Sequence, residues 1–302
     1  MPGPPRDARG ILPDYHTHPA RPPADLPAAE HGAHYRNSMG RYAARAAALG
    51  IAELGFAEHV YYLTLAPGAV PWRPAGRGDV GAYVDAALAV RAACARRDAA
   101  CGGAAAPALR LGLEVDVVPS TVSILQAALP LYPFDYVLGS VHRIPDGAEG
   151  TTTEDAYRAY YAAVCWAAAS GLFHAIAHPD RVHRKLPPVD ARFLEEQMEE
   201  TVDALARHGV AVEVSAVGVR GGHVGVDPHP AFVRLCQTRG VPITLGSDAH
   251  AVEEVGAGLP KVRDLVWAAG YRHVATFERG RRTDRPLLPP PAAASSPLPL
   301  AS

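Results

Sequence analysis

The chain has 302 residues, enough for one large barrel or two small domains with a substantial buried core. Its 29 basic and 31 acidic residues leave a formal charge of -2, which gives no electrostatic case for binding nucleic acid or a membrane surface. Cys94, Cys101, Cys165 and Cys236 lack C-x-x-C spacing and are too sparse for a disulfide scaffold, and no segment has signal-peptide or membrane-span character, so a soluble cytoplasmic protein is expected.

Residues 1–10 and 282–302 are rich in Pro, Ala and Ser and are expected to be disordered, leaving 11–281 as a single domain. Within it, short apolar runs alternate with longer amphipathic or Ala-rich stretches, the pattern of a parallel sheet covered by helices. The expected strands are Ile11 to His16, Glu53 to His59, Leu109 to Val115, Phe134 to Val141, Phe173 to His178, Val210 to Ser215 and Pro242 to Ser247. A further short strand from His273 to Phe277 is not excluded. Among the helices, one runs from Ser38 to Leu49, Asp79 caps the next, Thr151 and Glu154 have capping-box spacing, and Asp190 caps another that stops before Gly209. Alternation of this kind predicts an α/β fold, a distorted (β/α)7 barrel.

Six of the strands stop at or near residues that bind metals. Asp14-Tyr15-His16-Thr17-His18 and Gly246-Ser247-Asp248-Ala249-His250 each carry two donors at i and i+2, which a strand points to one face. Between them come Glu58-His59, Glu114, His142 and His178-Pro179-Asp180. In a β/α barrel the loops after parallel strands converge, so these residues meet at one end. Taken singly, each histidine could be an ordinary hydrogen-bonded residue; an ordered set at successive strand ends favours a distributed multi-metal site. A phosphoesterase uses two or three ions about 3.5–4 Å apart to generate a nucleophile and absorb phosphoryl charge.

This order of motifs, H-x-H, D/E-H, Glu, two separate His and D-x-H, resembles the polymerase-and-histidinol-phosphatase (PHP) superfamily of metal phosphoesterases across nearly the whole ordered chain. Gly112-Leu-Glu-Val-Asp116, Gly139-Ser-Val-His142 and Gly246-Ser-Asp-Ala-His250 look most like its histidinol-phosphatase branch. The resemblance implies a PHP-type barrel with two or three divalent ions, zinc, iron or manganese. It implies a first ion on His16, His18, Glu114 and Asp248, with Glu114 bridging to a second on His142 and His178. It implies a third on His59, His250 and one more histidine, for which His34 is the candidate and His31 or Glu30 the fallback. The loop after His18 is longer than the family usually has, and Arg21 is a candidate to supply part of the missing charge. Arg220 stands where the branch has an arginine; Arg143 and Arg181 are further phosphate-binding candidates. The stretch from Tyr61 to Gly78, with Trp72 and Arg73, is a candidate lid.

The implied activity is hydrolysis of L-histidinol phosphate to L-histidinol and phosphate, in histidine biosynthesis, with Asp248 or His250 handling the proton. Alternatives are a PHP-type enzyme for another small phosphate or a nucleotide, an amidohydrolase-type hydrolase, and a non-catalytic metal-binding module. An amidohydrolase often bridges its metals with a carboxylated lysine, but neither Lys185 nor Lys261 ends an expected strand. The expected partner is a small phosphorylated substrate; oligomeric state is not legible.

Overall fold

Seven short parallel strands pair in the order in which the chain makes them. They are β1 (Pro13–Thr17), β2 (Glu53–His59), β3 (Ala108–Asp116), β4 (Tyr136–Ser140), β5 (Ala175–Ile176), β6 (Ala211–Ser215) and β7 (Ile243–Gly246). The computed structural model describes residues 10–73, 76–101, 106–144, 152–220 and 227–291. The ring closes through the chain just past β7, where Thr17 bridges Ala249 in parallel and the His18 N–H donates to the Ala249 carbonyl at 2.7 Å. The result is the expected α/β architecture, a distorted and nearly closed (β/α)7 barrel. Strands buried on both faces must be almost wholly apolar, which is why they read as short hydrophobic runs.

The covering helices are α1 (Ala28–Ala48), α2 (Val80–Cys101), α3 (Val122–Ala128), α4 (Thr153–Ala169), α5 (Ala191–His208), the single turn α6 (Val217–Arg220), α7 (Pro230–Thr238) and α8 (Leu259–Ala268). Asp79 accepts the Ala82 N–H, and Asp190 accepts those of Arg192 and Phe193, so both expected caps form. The capping box sits one residue later than expected, on Thr152 and Asp155. A larger correction concerns α1, expected from Ser38. It begins ten residues earlier because Pro27 opens it and His31, Tyr35, Ser38, Met39 and Tyr42 form one buried stripe. His31 and His34 therefore lie inside the helix.

The barrel interior holds Tyr15, Tyr136, Phe277 and small residues such as Ala57, Ala175 and Ala211. Tyr136 fills it: a Cβ on Gly112 would lie 2.4 Å from its ring, so only glycine fits there.

Phe277 belongs to β8 (His273–Glu278), which pairs antiparallel with β9 (Arg281–Pro286) in a separate two-stranded sheet. The possible eighth strand is therefore not a barrel strand. This hairpin is held at the amino ends of the barrel strands, where Glu53 accepts hydrogen bonds from Tyr15 at 2.6 Å, Arg110 at 3.0 Å and Arg285 at 2.9 Å. Residues 282–291, expected in a disordered tail, thus include a strand, and Leu287 bridges Ile11. Their side chains supply cross-strand and ionic partners that composition alone does not reveal. Residues 1–9 and 292–302 lie outside the described residues.

Candidate metal centre

At the carboxyl ends of the strands, the barrel gathers a buried set of imidazoles and carboxylates around Glu114. His16 of β1 and His18, one residue past its end, lie side by side, with ring centroids 5.0 Å apart. Glu114, near the end of β3 and 1 % exposed, divides its two oxygens between them and the opposite wall. Its Oε1 lies 3.2 Å from both His142 Nε2 and His178 Nε2. Its Oε2 lies 3.4 Å from His16 Nε2, 3.5 Å from His18 Nε2 and 2.7 Å from His59 Nδ1. Asp248 Oδ1 approaches the His16 and His18 Nε2 atoms from a third side, at 3.7 and 3.3 Å.

Two of these residues adopt a backbone that side chains rarely take. His178 has φ 32° and Asp248 φ 52°, in or near the left-handed region. Such strain at loop starts after β5 and β7 is held by the surrounding contacts and turns both side chains inward.

The donor chemistry fits divalent ions. His16 Nε2, both ring nitrogens of His18, His59 Nδ1 and Glu114 Oε2 are buried without a properly directed hydrogen bond. Buried polar atoms left this way are costly unless something else satisfies them. Among the described residues, four groups of donors are able to hold an ion: His16, His18 and Glu114; Glu114, His142 and His178; His18, His59 and His250; and His59, Asp116 and His142. Neutral imidazole and carboxylate are ligands that zinc, iron and manganese share.

The electrostatics agree. Burial drives His59 down to about 4, against the pull of Glu114, so its ring stays neutral. Burial also presses on His18, but Asp248 and Glu58 outweigh it and hold the ring at about 9. His142 likewise ends at about 9, with Glu114 and Asp116 outweighing burial. Glu114 itself, penalised by burial, is held well below the carboxylate range by His59, His142 and His16. Cations are what this cluster attracts, and an arriving metal ion must displace the protons on its rings.

The expected residues divide clearly. His16, His18, His59, Glu114, His142, His178, Asp248 and His250 come together; His34 does not. Its Nε2 lies 3.1 Å from the Ala20 carbonyl, while His31 is tied to Leu26 and Asp79. The place given to His34 is taken by His18, whose ring stacks between His59 at 4.3 Å and His250 at 4.2 Å. Half-exposed His250 faces a cavity of about 850 Å³, also lined by Arg21, Glu58, Tyr61, Tyr62 and Arg73. Arg21 lies 3.7 Å over the Tyr62 ring.

Arg181 places a guanidinium nitrogen 3.3 Å from His178 Nε2, and Arg143 lies 5.6 Å over the Trp72 ring. Arg220 donates to the carbonyls of Asp248 at 2.9 Å and Glu254 at 3.4 Å, so it braces the backbone that carries Asp248. The Gly-rich segment after it, with His223, lies outside the described residues. Lys185 donates to the His142 carbonyl, and the position between the two imidazole sets belongs to Glu114.

Two acidic residues escaped sequence reasoning. Asp116 Oδ1 lies 3.1 Å from His142 Nδ1, and Glu213 Oε1 lies 2.8 Å from His16 Nδ1. Both had a signal: Asp116 stands at i+2 from Glu114, and Glu213 is a charged residue between two valines in a fully buried strand.

No helix among the described residues is long and apolar enough to cross a membrane. The chain is 37 % identical over 164 residues to a probable histidinol-phosphatase of Deinococcus radiodurans, a match that takes in 49 % of this chain and 60 % of that relative. It is 28 % identical over 191 residues to a histidinol-phosphatase of Lactococcus lactis, covering 59 % of this chain and 70 % of the other. In fold it is similar to a histidinol phosphate phosphatase from Lactococcus lactis crystallised with zinc, L-histidinol and phosphate. That superposition covers 90 % of this chain and 99 % of the other, with a TM-score of 0.65 at 22 % identity. Residues 31–216, more than half of the chain, match the PHP domain model, and the chain belongs to that family.

Proposed function

We propose that the chain is a metal-dependent phosphomonoesterase that hydrolyses L-histidinol phosphate to L-histidinol and phosphate, a cytoplasmic step of histidine biosynthesis. The observation that carries this reading is the placement of Glu114, whose two oxygens face two different sets of imidazole nitrogens at the mouth of a cavity. The names of both curated relatives support it.

In this reading His16, His18, Glu114 and Asp248 hold one ion, and Glu114, His142 and His178 a second. A third position falls to His59 and His250, with His18 beside them. When bound, divalent ions supply a nucleophile from water near neutral pH and neutralise charge on the phosphoryl oxygens. The chain's own residues do the rest. Water adds to phosphorus opposite the histidinol oxygen, the bond between phosphorus and that oxygen breaks, and the departing oxygen takes up a proton. Asp248 and His250 are the groups placed to pass that proton, with His250 open to the cavity. Arg21 and Arg181 neutralise the equatorial oxygens, and Arg21 also contributes positive charge beside the third position, which lacks a carboxylate. Tyr61 and Tyr62 line the cavity that receives the substrate.

The test is phosphate release by metal-loaded protein from a panel of histidinol phosphate, nucleotides and sugar phosphates. The expected result is a kcat/KM for histidinol phosphate at least about 100-fold above every other member, a difference of nearly 3 kcal/mol in transition-state binding. Equal rates across the panel would leave a general phosphoesterase, and no phosphate release from any member would remove the catalytic reading.

A further inference from the structure

We propose that Glu213 is a positioning residue that sets two metal-ligating histidines at once, fixing the ring tautomer of His16 and the backbone of His178. The proposal rests on the metal reading of the cluster and does not depend on which phosphate ester is the substrate.

Glu213 is fully buried in the middle of β6, two strands away from β1 around the closed ring. It reaches His16 across β7 at Gly246. A Cβ on Gly246 would stand 1.9 Å from Glu213 Oε1 and 2.5 Å from the His16 Cβ, so the glycine is the gap through which the carboxylate passes. On the far side, Glu213 Oε1 lies 2.8 Å from His16 Nδ1. A carboxylate there keeps the ring proton on Nδ1 and leaves the Nε2 lone pair free. That Nε2 is the atom that faces Glu114 and Asp248 and has no hydrogen-bond partner.

The second oxygen has a separate task. Glu213 Oε2 accepts the backbone N–H of His178 at 3.2 Å. His178 is the residue held at φ 32°, and its Nε2 meets Glu114 on the other wall of the cluster. One side chain therefore braces a donor in the His16, His18, Glu114 group and another in the Glu114, His142, His178 group.

Only a side chain that accepts at both ends can do this. An ionised carboxylate accepts at two oxygens, whereas a Gln amide accepts at one and donates at the other. If the amide oxygen faces the His178 N–H, the NH2 group donates to His16 Nδ1 and drives the ring proton onto Nε2, where it blocks ligation. If the oxygen faces His16, the NH2 group opposes the His178 N–H and the strained backbone loses its anchor. Either way one of the two metal positions is damaged, so Glu213→Gln tests the idea with almost no change in shape.

Metal-stripped wild type and Glu213→Gln are each titrated with Zn2+ against a chromophoric chelator, and the metal-free forms are melted in parallel. The expected result is a folded variant whose zinc affinity falls by roughly 10- to 100-fold, the size of effect an outer hydrogen-bond partner of a ligating histidine has. Wild-type zinc affinity in a variant that merely melts lower would overturn the proposal and leave Glu213 as a brace. A second measurement needs no variant: ring 15N shifts of His16 in the zinc-loaded wild type are expected to show a protonated Nδ1 and a coordinated Nε2, and the reverse pattern overturns the proposal. Zinc binding that depends on Glu213 in a protein without activity on histidinol phosphate supports this role while defeating the substrate assignment. Wild type that takes up no zinc defeats this role together with the metal reading.

Discussion

Glu114→Gln is expected to lose metal-dependent phosphate release almost completely while still folding. Glu114 is, among the described residues, the one carboxylate within 3.5 Å of five imidazole nitrogens, on His16, His18, His59, His142 and His178. An amide keeps its volume but removes one acceptor and the negative charge, so it cannot serve two ions as a bridge. The drop in kcat/KM should exceed the roughly 100-fold that loss of an outer partner costs, and bound metal should fall by at least one equivalent per chain. Folding should survive, because the imidazoles that lose their carboxylate partner can shed their protons and stay buried as neutral rings. Metal analysis beside a steady-state assay checks this. A variant with full metal content and less than a tenfold loss would mean that Glu114 is not the bridge.

Gly246→Ala is expected to damage the centre nearly as severely, although residue 246 carries no ligand. The added methyl has nowhere to go: Glu213 Oε1 and the His16 Cβ occupy the space from opposite sides. β7 cannot shift to make room, because it pairs with β6 from Ile243 to Gly246 and its continuation closes the ring onto β1. Overpacking of this kind costs about 1–3 kcal/mol, and the softest response is for the Glu213 side chain to swing away from His16. The variant should melt lower than wild type and bind zinc more weakly. Gly40→Ala, on α1 with open space around its Cβ position, should do neither. Thermal melts and zinc titrations of both variants decide it; a Gly246→Ala protein with wild-type zinc affinity would show that the gap at β7 is not needed for ligation.

The sequence was most legible where local rules act alone. The strand from Glu53 to His59 has the bounds expected of it, and His16 and His18 meet as their i, i+2 spacing implies; Asp248 and His250 also meet, but past the end of β7, where Asp248 turns at φ 52°. Caps at Asp79 and Asp190 are equally local. What was not legible depends on contacts across the ring or between helices. His34 fits a ligand role only with α1 starting near Ser38; the helix begins at Ala28, and the His34 ring turns towards the Ala20 carbonyl. Arg220 sits next to the centre, as its position implied, yet its donors are used on the Asp248 and Glu254 backbone. Glu213 and His16 are 197 residues apart, and only closure of the barrel brings them together. A short strand from His273 to Phe277 is legible in the sequence, but its partner β9 is not: Arg285 is a surface-like residue until Glu53 is placed beneath it.

The polar cluster at the barrel mouth is expected to work by holding divalent ions. Its most direct test is to strip the protein with a chelator, return Zn2+ or Mn2+ in measured equivalents, and follow bound metal and histidinol phosphate hydrolysis in the same samples. The expected result is no activity in the stripped protein, recovery as the positions sharing Glu114 fill, and a melting temperature that rises with metal, since a ligand at 1,000 times its Kd adds about 4 kcal/mol to stability. Full activity in protein holding well under one metal ion per chain would contradict it.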